Sequence, residues 1–230
     1  MPAAQVIGRG RAGQSVAHAL EKAGFAPSVE LVVLAVPDSA IAEVAASIEP
    51  RDDVVVAHMA GSLGLDVLAP HPRRASMHPL RSIPTTSTDL TGAWWAVAGD
   101  PVVRSVVAAL DGRVVEVDDS ARATYHAAAV MASNHVVALL GAVERVAASA
   151  GVPLDAFFDL VRGTVDNVAA LGPAAALTGP VARGDWATVE AHLAALPESE
   201  RATYEALTAA ACSLPAKSTG QSTRTWPKAG

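Results

Sequence analysis

Residues 4–36 constrain the fold more than any other stretch, because a complete glycine fingerprint is followed there by an incomplete sequel. Ala4-Gln5-Val6-Ile7 has the composition of a short buried strand, and Gly8-Arg9-Gly10-Arg11-Ala12-Gly13 follows it directly. Residues 14–23 then carry a helical pattern that ends at Gly24. Strand, glycine turn and helix in that order give the GxGxxG spacing of a dinucleotide-binding loop its meaning. Gly8 permits the tight turn, Gly10 lets the backbone approach a pyrophosphate, and Gly13 lets the helix pack on the strand. The free amides at the helix start add the positive end of its dipole. A complete mononucleotide half sets a further strand ending in an acid ~20 residues past the glycines, and that acid binds the adenosine ribose. Here only Phe25-Ala26-Pro27-Ser28 separate Gly24 from the next strand, residues 29–36. Glu30 is the only acid in that window, and it opens the strand instead of closing it. The phosphate cradle is expected; the usual adenosine pocket is not.

Composition narrows the class. A chain of 230 residues suits one compact unit or two small domains, and a hydrophobic content of 51%, much of it alanine, favours closely packed helices. A net charge of -6 gives nucleic-acid binding little electrostatic support. Cys212 is the single cysteine, so an intrachain disulfide is impossible and a cytoplasmic location is the expectation. The first residues lack the basic region and apolar run of a secretory signal. No stretch approaches 18 uninterrupted apolar residues, so a membrane partner is not expected.

Strand and helix patterns alternate through the first half, with strands expected over 53–58, 75–78, 94–98 and 113–117. That alternation predicts an α/β fold, a shortened, mostly parallel, doubly wound Rossmann-like sheet lacking its second strand-helix unit. From Asp118-Asp119-Ser120 onward the pattern changes. Residues 121–150 read as one long helix, and shorter helices are expected over 153–169, 173–177, 186–196 and 198–213. Gly172-Pro173 and Thr178-Gly179-Pro180 read as helix breaks. The expected domains are 1–118, the dinucleotide-binding type, and 119–214, all-helical, with 215–230 a mobile tail.

Ligands of open parallel sheets sit beyond the carboxyl ends of the strands. Gly8, Arg9, Gly10, Arg11 and Gly13, with Pro37 after the second strand, are therefore the candidate cofactor-binding residues. His58 and His78 stand at further strand ends. On the long helix His126 and Ser133 are seven residues apart and share a face, with Asn134 to one side. These five residues are the candidates for catalysis, because a histidine exchanges protons near neutral pH. The alternative for each histidine is a packed core residue with one satisfied hydrogen bond. His71, between two prolines, is expected to face solvent, and Asp38 or Ser39 to cap a helix. No short HxH or HxxxH spacing supports a metal site.

The helical half carries Tyr125-His126-Ala127-Ala128-Ala129, Ala132-Ser133-Asn134, and the run from Leu171-Gly172-Pro173 to Arg183-Gly184-Asp185. The sheet half carries Val33-Leu34-Ala35-Val36-Pro37-Asp38, Gly61-Ser62-Leu63-Gly64 and Met77-His78-Pro79-Leu80. Together these strings resemble the DUF2520 group of Rossmann-like proteins, within the 6-phosphogluconate dehydrogenase-like superfamily. The resemblance, over about residues 4–212, implies a helical dimerisation domain, a homodimer and a dinucleotide-shaped cleft between domains. Hydroxyacid members of that superfamily carry a catalytic lysine four residues before an asparagine. If Asn134 matches that asparagine, Val130 stands where the lysine would be. Three readings remain open. One is an NAD(P)-dependent oxidoreductase acting on a small metabolite, with NADP or NAD bound weakly. The others need no cofactor: a histidine acid/base enzyme such as a dehydratase, cyclase or isomerase, or a metabolite-binding protein.

Overall fold

Six strands lie side by side in chain order: β1 (Ala4–Ile7), β2 (Glu30–Leu34), β3 (Val54–His58), β4 (Arg73–Pro79), β5 (Trp94–Gly99) and β6 (Arg113–Glu116). All neighbours are parallel except β4 and β5, which pair antiparallel. The protein is described by a computed structural model covering residues 4–27 and 30–215. The tail expected over 215–230 therefore lies, from residue 216 onward, outside the described residues.

The central strands are apolar on both faces because helices cover both. On one face Leu31, Val33, Val55, Ala57, Met77 and Trp95 pack with Val16 and Leu20 of α1 (Arg11–Lys22) and with Val103 and Val107 of α3 (Val102–Ala109). On the other, Val32, Leu34, Val54 and Val56 pack with Ile41 and Ala45 of α2 (Ile41–Ala46) and with Leu68. The chain thus steps from β1 to β2 to β3 in one direction while its helices change face. Two such crossovers have opposite hands, although right-handed connections are nearly universal. The absent strand-helix unit after Gly24 accounts for this. In a complete doubly wound sheet the helices change face where the chain reverses its direction across the sheet. Here the strands that would lie beyond β1 are gone, so β1 is left at the edge.

The chain divides into two compact units, Met1–His135 and Val136–Gly230. The change of pattern at residue 118 falls inside the first unit, because α4 (Arg122–Ala132) belongs with the sheet. The helix expected over 121–150 is interrupted at Ser133, whose φ and ψ are -126° and -79°. The Ser133 hydroxyl donates to the Ala129 carbonyl at 2.7 Å, a back-bond that bends helices. Beyond it run α5 (Asn134–Ser149), α6 (Phe158–Leu171), α7 (Pro173–Ala176), α8 (Gly179–Arg183), α9 (Trp186–Ala195) and α10 (Glu198–Cys212). Gly172-Pro173 ends α6 and Thr178-Gly179-Pro180 separates α7 from α8, both as expected, with proline in the first turn of α8 where no amide is needed. Asp185 caps α9, accepting from Thr188 N–H at 3.2 Å.

The helical stretch Asp119–Ser149 is long and apolar enough to cross a membrane by length and composition, with a mean hydropathy of 1.4. No residue of its most apolar 18-residue window, to which that hydropathy belongs, is buried within the chain.

Candidate functional site

The glycine loop is built by contact as much as by conformation. Gly8 has φ +139°, and a side chain there would strike the Ala35 carbonyl just past β2. A side chain on Gly13 would strike the Gly8 carbonyl. Gly10, by contrast, has open space around it and stands at the start of α1 with no side-chain cap. The first amides of α1 are therefore left for a ligand, in the geometry that suits a phosphate. Arg9 and Arg11 are exposed beside the loop, and Gln14 fixes it by donating to the Arg9 carbonyl at 2.6 Å. Pro37 is exposed after β2, the strand against which the loop packs. These residues fit a pyrophosphate. On the adenosine side Glu30 opens β2 and is ion-paired with Arg51 at 3.3 Å, so it is no ribose ligand.

The histidines gather further along the sheet. His58 ends β3 and pairs in register with Ser76 of β4, two residues before His78. From α4, Tyr125 brings its hydroxyl to 2.6 Å from His78 Nδ1, the rings meeting edge to face. His126 stands beside it, 6.0 Å from His78 between ring centres. Gly61 lies between the two imidazoles, where its missing side chain avoids both. His58 Nε2 lies 3.2 Å from the Gly64 carbonyl. Among the described residues, His58 Nδ1 and His126 Nδ1 are buried without a hydrogen-bond partner.

Arg122 lies beneath this group, one turn before His126, only 2% exposed. It donates through Nη2 to the Ser76 hydroxyl, while its Nε and Nη1 have no hydrogen-bond partner among the described residues. Its counter-ion, Asp119, is 3.7 Å away and is also held by the Leu65 amide at 2.9 Å. Burial sets the charge state of the cluster. It lowers the His78 pKa to about 4, with His126 and Arg122 adding to the effect, and it lowers that of His58. It raises the Tyr125 phenol to about 12 against the pull of Arg122. At neutral pH the pair is thus an uncharged imidazole and a protonated phenol.

Of the residues singled out from sequence, His58, His78 and His126 come together. Ser133 and Asn134 do not join them; both are exposed and bonded to each other at 2.9 Å. Two expectations are corrected. His71 is buried, 2% exposed, with Nε2 2.8 Å from the Ala45 carbonyl, because α2 packs over its loop. Asp38 caps nothing; it is the first residue of a short 3₁₀ turn entered from Pro37, and it accepts from Ser62 at 3.0 Å. Arg122, Tyr125 and Gly61 escaped sequence reasoning. A signal for two of them existed in the spacing i, i+3, i+4 of Arg122, Tyr125 and His126, a single stripe on an alanine-rich helix. Among the described residues no group of three His, Cys, Asp or Glu side chains is placed to hold a metal ion.

The helical unit carries a separate open groove of about 490 Å³, lined by Leu139, Val143, Val146, Phe157, Tyr204 and Leu207 among others. It is almost wholly apolar and holds none of these histidines.

The profile of the DUF2520 family, a domain of unknown function, matches residues 96–211, and that of a Rossmann-like domain matches residues 25–83. No curated protein matches the chain. Among solved structures it is similar to an inferred NADP oxidoreductase from Bacteroides fragilis, with 22% identity, a TM-score of 0.75, and 90% of this chain and 96% of that one covered. A Thermotoga maritima protein gives 24%, 0.73, 91% and 96%. A reductive aminase from Aspergillus terreus, solved with NADPH and ethyl levulinate, gives 14%, 0.67, 92% and 93%. At these identities the likeness is one of fold.

Proposed function

The chain belongs to the DUF2520 family, and from that premise we propose that it is an oxidoreductase-like protein that binds NADP or NAD and acts on a small metabolite. The observation that carries this reading is the glycine loop, with Gly8 and Gly13 locked by contact and Gly10 open before the free amides of α1. The NADPH named with the Aspergillus terreus aminase, a protein of the same fold, supports it. A bound nicotinamide would supply hydride transfer. The chain's own residues hold the pyrophosphate at Gly8, Arg9, Gly10, Arg11 and Gly13, and move a proton at His78 and His126. The second reading, a cofactor-independent acid/base enzyme, is favoured by one feature: the His78–Tyr125–His126 group is complete without any cofactor.

Calorimetric titration with NADPH and NADH tests the first reading. Saturable binding with Kd above about 100 μM is expected, since each tenfold loss of affinity corresponds to about 1.4 kcal/mol and the adenosine side has lost several contacts. Heat indistinguishable from dilution at millimolar dinucleotide would remove the oxidoreductase reading. A low-micromolar Kd would mean another segment completes the adenosine pocket.

The working form in this reading is a homodimer joined through the helical unit. Val137, Leu160, Val165 and Leu171 are between 60% and 72% exposed in the single chain, and the 490 Å³ groove is apolar. Apolar surface of that extent is characteristically covered by another chain.

A further inference from the structure

The arginines of the sheet unit divide by edge. Strands β1 to β4 begin at one edge of the sheet, and β5 and β6, running the other way, end there. At that edge Arg51 pairs with Glu30 and Asp53, Arg73 with Asp100, Arg74 with Asp66 and Arg104 with Glu116. The opposite edge, where β1 to β4 end and β5 and β6 begin, is the one at which open sheets bind ligands. Arg9, Arg11, Arg81 and Arg113 lie along it, and none of them is ion-paired among the described residues. Arg9 and Arg11 flank the glycine loop, and Arg81 donates to the Thr91 carbonyl at 3.3 Å. The Arg113 guanidinium lies over the ring of Trp94, 5.6 Å from its centre.

Trp94 is itself conspicuous. Its neighbour Trp95 is fully buried, whereas Trp94 is 46% exposed. Tryptophan is highly buried on average, and exposed apolar surface at a ligand edge marks a contact. Strand register ties this surface to the histidines. His78 pairs with Ala96, and the register continues to Leu80, whose amide donates to the Trp94 carbonyl at 2.8 Å. On the far side Arg113 pairs with Trp94 and Val115 with Ala96. Alternate residues share a face, so His78, Leu80, Trp94 and Arg113 stand on one side of the sheet, opposite the core residues Met77 and Trp95. From strand spacing, His78 and Arg113 are roughly 12 Å apart at the backbone. The long arginine side chain narrows that gap.

We infer that Arg113, stacked on Trp94, is the subsite for a carboxylate of the substrate, with the substrate's apolar stem lying across Trp94 and Leu80. The far end of the molecule then reaches the half-buried Tyr125–His78 pair. The substrate class is a small carboxylate whose reacting end lies several carbons from the carboxyl group. This rests on the reading above in which His78 moves the substrate's proton. The guanidinium fork matches a carboxylate with two parallel hydrogen bonds, and stacking on an aromatic ring leaves the N–H edge free to make them. The exposed Leu80 and Trp94 beside it suit a hydrocarbon stem and give nothing to a bare phosphate ion. A neutral or cationic substrate would leave Arg113 without a counter-charge.

The test is ¹H–¹⁵N NMR of the full-length protein at neutral pH, following the Trp94 indole N–H, identified by its loss in Trp94→Phe, and the His78 imidazole nitrogens. Hexanoate should move the Trp94 signal saturably. Hexanamide should need about tenfold higher concentration, the effect of one charge-assisted hydrogen bond, and inorganic phosphate should leave the signal in place. 6-Hydroxyhexanoate should move the His78 nitrogens as well. Arg113 is exposed at the start of a strand, so Arg113→Gln keeps the fold. In that variant hexanoate should lose its advantage over hexanamide, while Arg113→Lys keeps part of it. Equal responses of the parent to hexanoate and hexanamide, an advantage unchanged in Arg113→Gln, a phosphate response matching that of hexanoate, His78 unmoved by 6-hydroxyhexanoate, or no response to any probe would overturn the proposal. A Trp94 signal that moves on dilution of the protein and not with hexanoate would assign the patch to a contact between copies and overturn it equally. NADPH titration of the same samples keeps the two inferences apart. Carboxylate binding without dinucleotide binding leaves the subsite standing and removes the oxidoreductase reading.

Discussion

The two units of this chain solve the problem of burial in opposite ways. In the sheet unit, Trp95, Leu31, Leu34, Ile41, Met77 and Leu90 are fully buried, and helices cover both faces of the strands. In the helical unit the only buried apolar residues among those described are Ala142, Ala147 and Val189. Its larger apolar side chains, Val137, Leu160, Val165 and Leu171, face outward. The sheet unit therefore contains its own core, whereas the helical unit leaves apolar side chains exposed, which a second copy would cover in the proposed homodimer. The difference also bears on chemistry. The histidine cluster rests on the self-contained unit, where Arg122 is buried and Tyr125 half-buried.

The sharpest way to break this comparison is to damage each unit in turn. Trp95→Ala removes a fully buried ring from the sheet core and should destabilise the protein by about 3–5 kcal/mol in urea unfolding. Leu160→Asp should leave the sheet unit folded and halve the mass in solution. Equal effects of the two variants on folding would erase the distinction. Next in size, His71→Ala should cost about 2–3 kcal/mol, since it empties a buried site and leaves the Ala45 carbonyl without its partner. Thermal melts giving a parent-like Tm would show that the loop over α2 is not part of the core.

A pH series sharpens the comparison further. His78 is neutral in the fold with a pKa of about 4, against 6.5 when exposed, and burial lowers His58 in the same direction. Between those values the unfolded chain binds protons that the folded one refuses. Stability must therefore fall as pH drops from 6.5 toward 4, by about 2 kcal/mol between pH 7 and 5 for His78. Urea midpoints should show the loss in the parent and a smaller one in His78→Gln. The smallest effect belongs to the helical unit, where Asp185→Ala removes the cap of α9 and should cost about 1 kcal/mol. Circular dichroism melts would register it.

The sequence made legible whatever depends on local pattern. The strand-glycine-helix start, the missing unit after Gly24 and the apolar strands all follow from neighbours in the chain. What escaped it depends on residues far apart. His71 is buried by α2, through a bond across 26 positions, and Asp38 is taken from its expected cap by Ser62, 24 positions on. The interruption at Ser133 carries no proline or glycine to mark it in the sequence; a hydroxyl back-bond to Ala129 accompanies it. Three of the five proposed catalytic residues converge, since strand ends and one helix face could be counted from sequence. Tyr125, Arg122 and Gly61 acquire meaning only when α4 is seen against the ends of β3 and β4.

The mass of the protein in solution, measured by light scattering or sedimentation across micromolar concentrations, tests the account most directly. The outward apolar face of the helical unit predicts twice the chain mass of 23.4 kDa, persisting on dilution and lost in Leu160→Asp. A stable species of 23.4 kDa at micromolar concentration, folded and soluble without detergent, would contradict it.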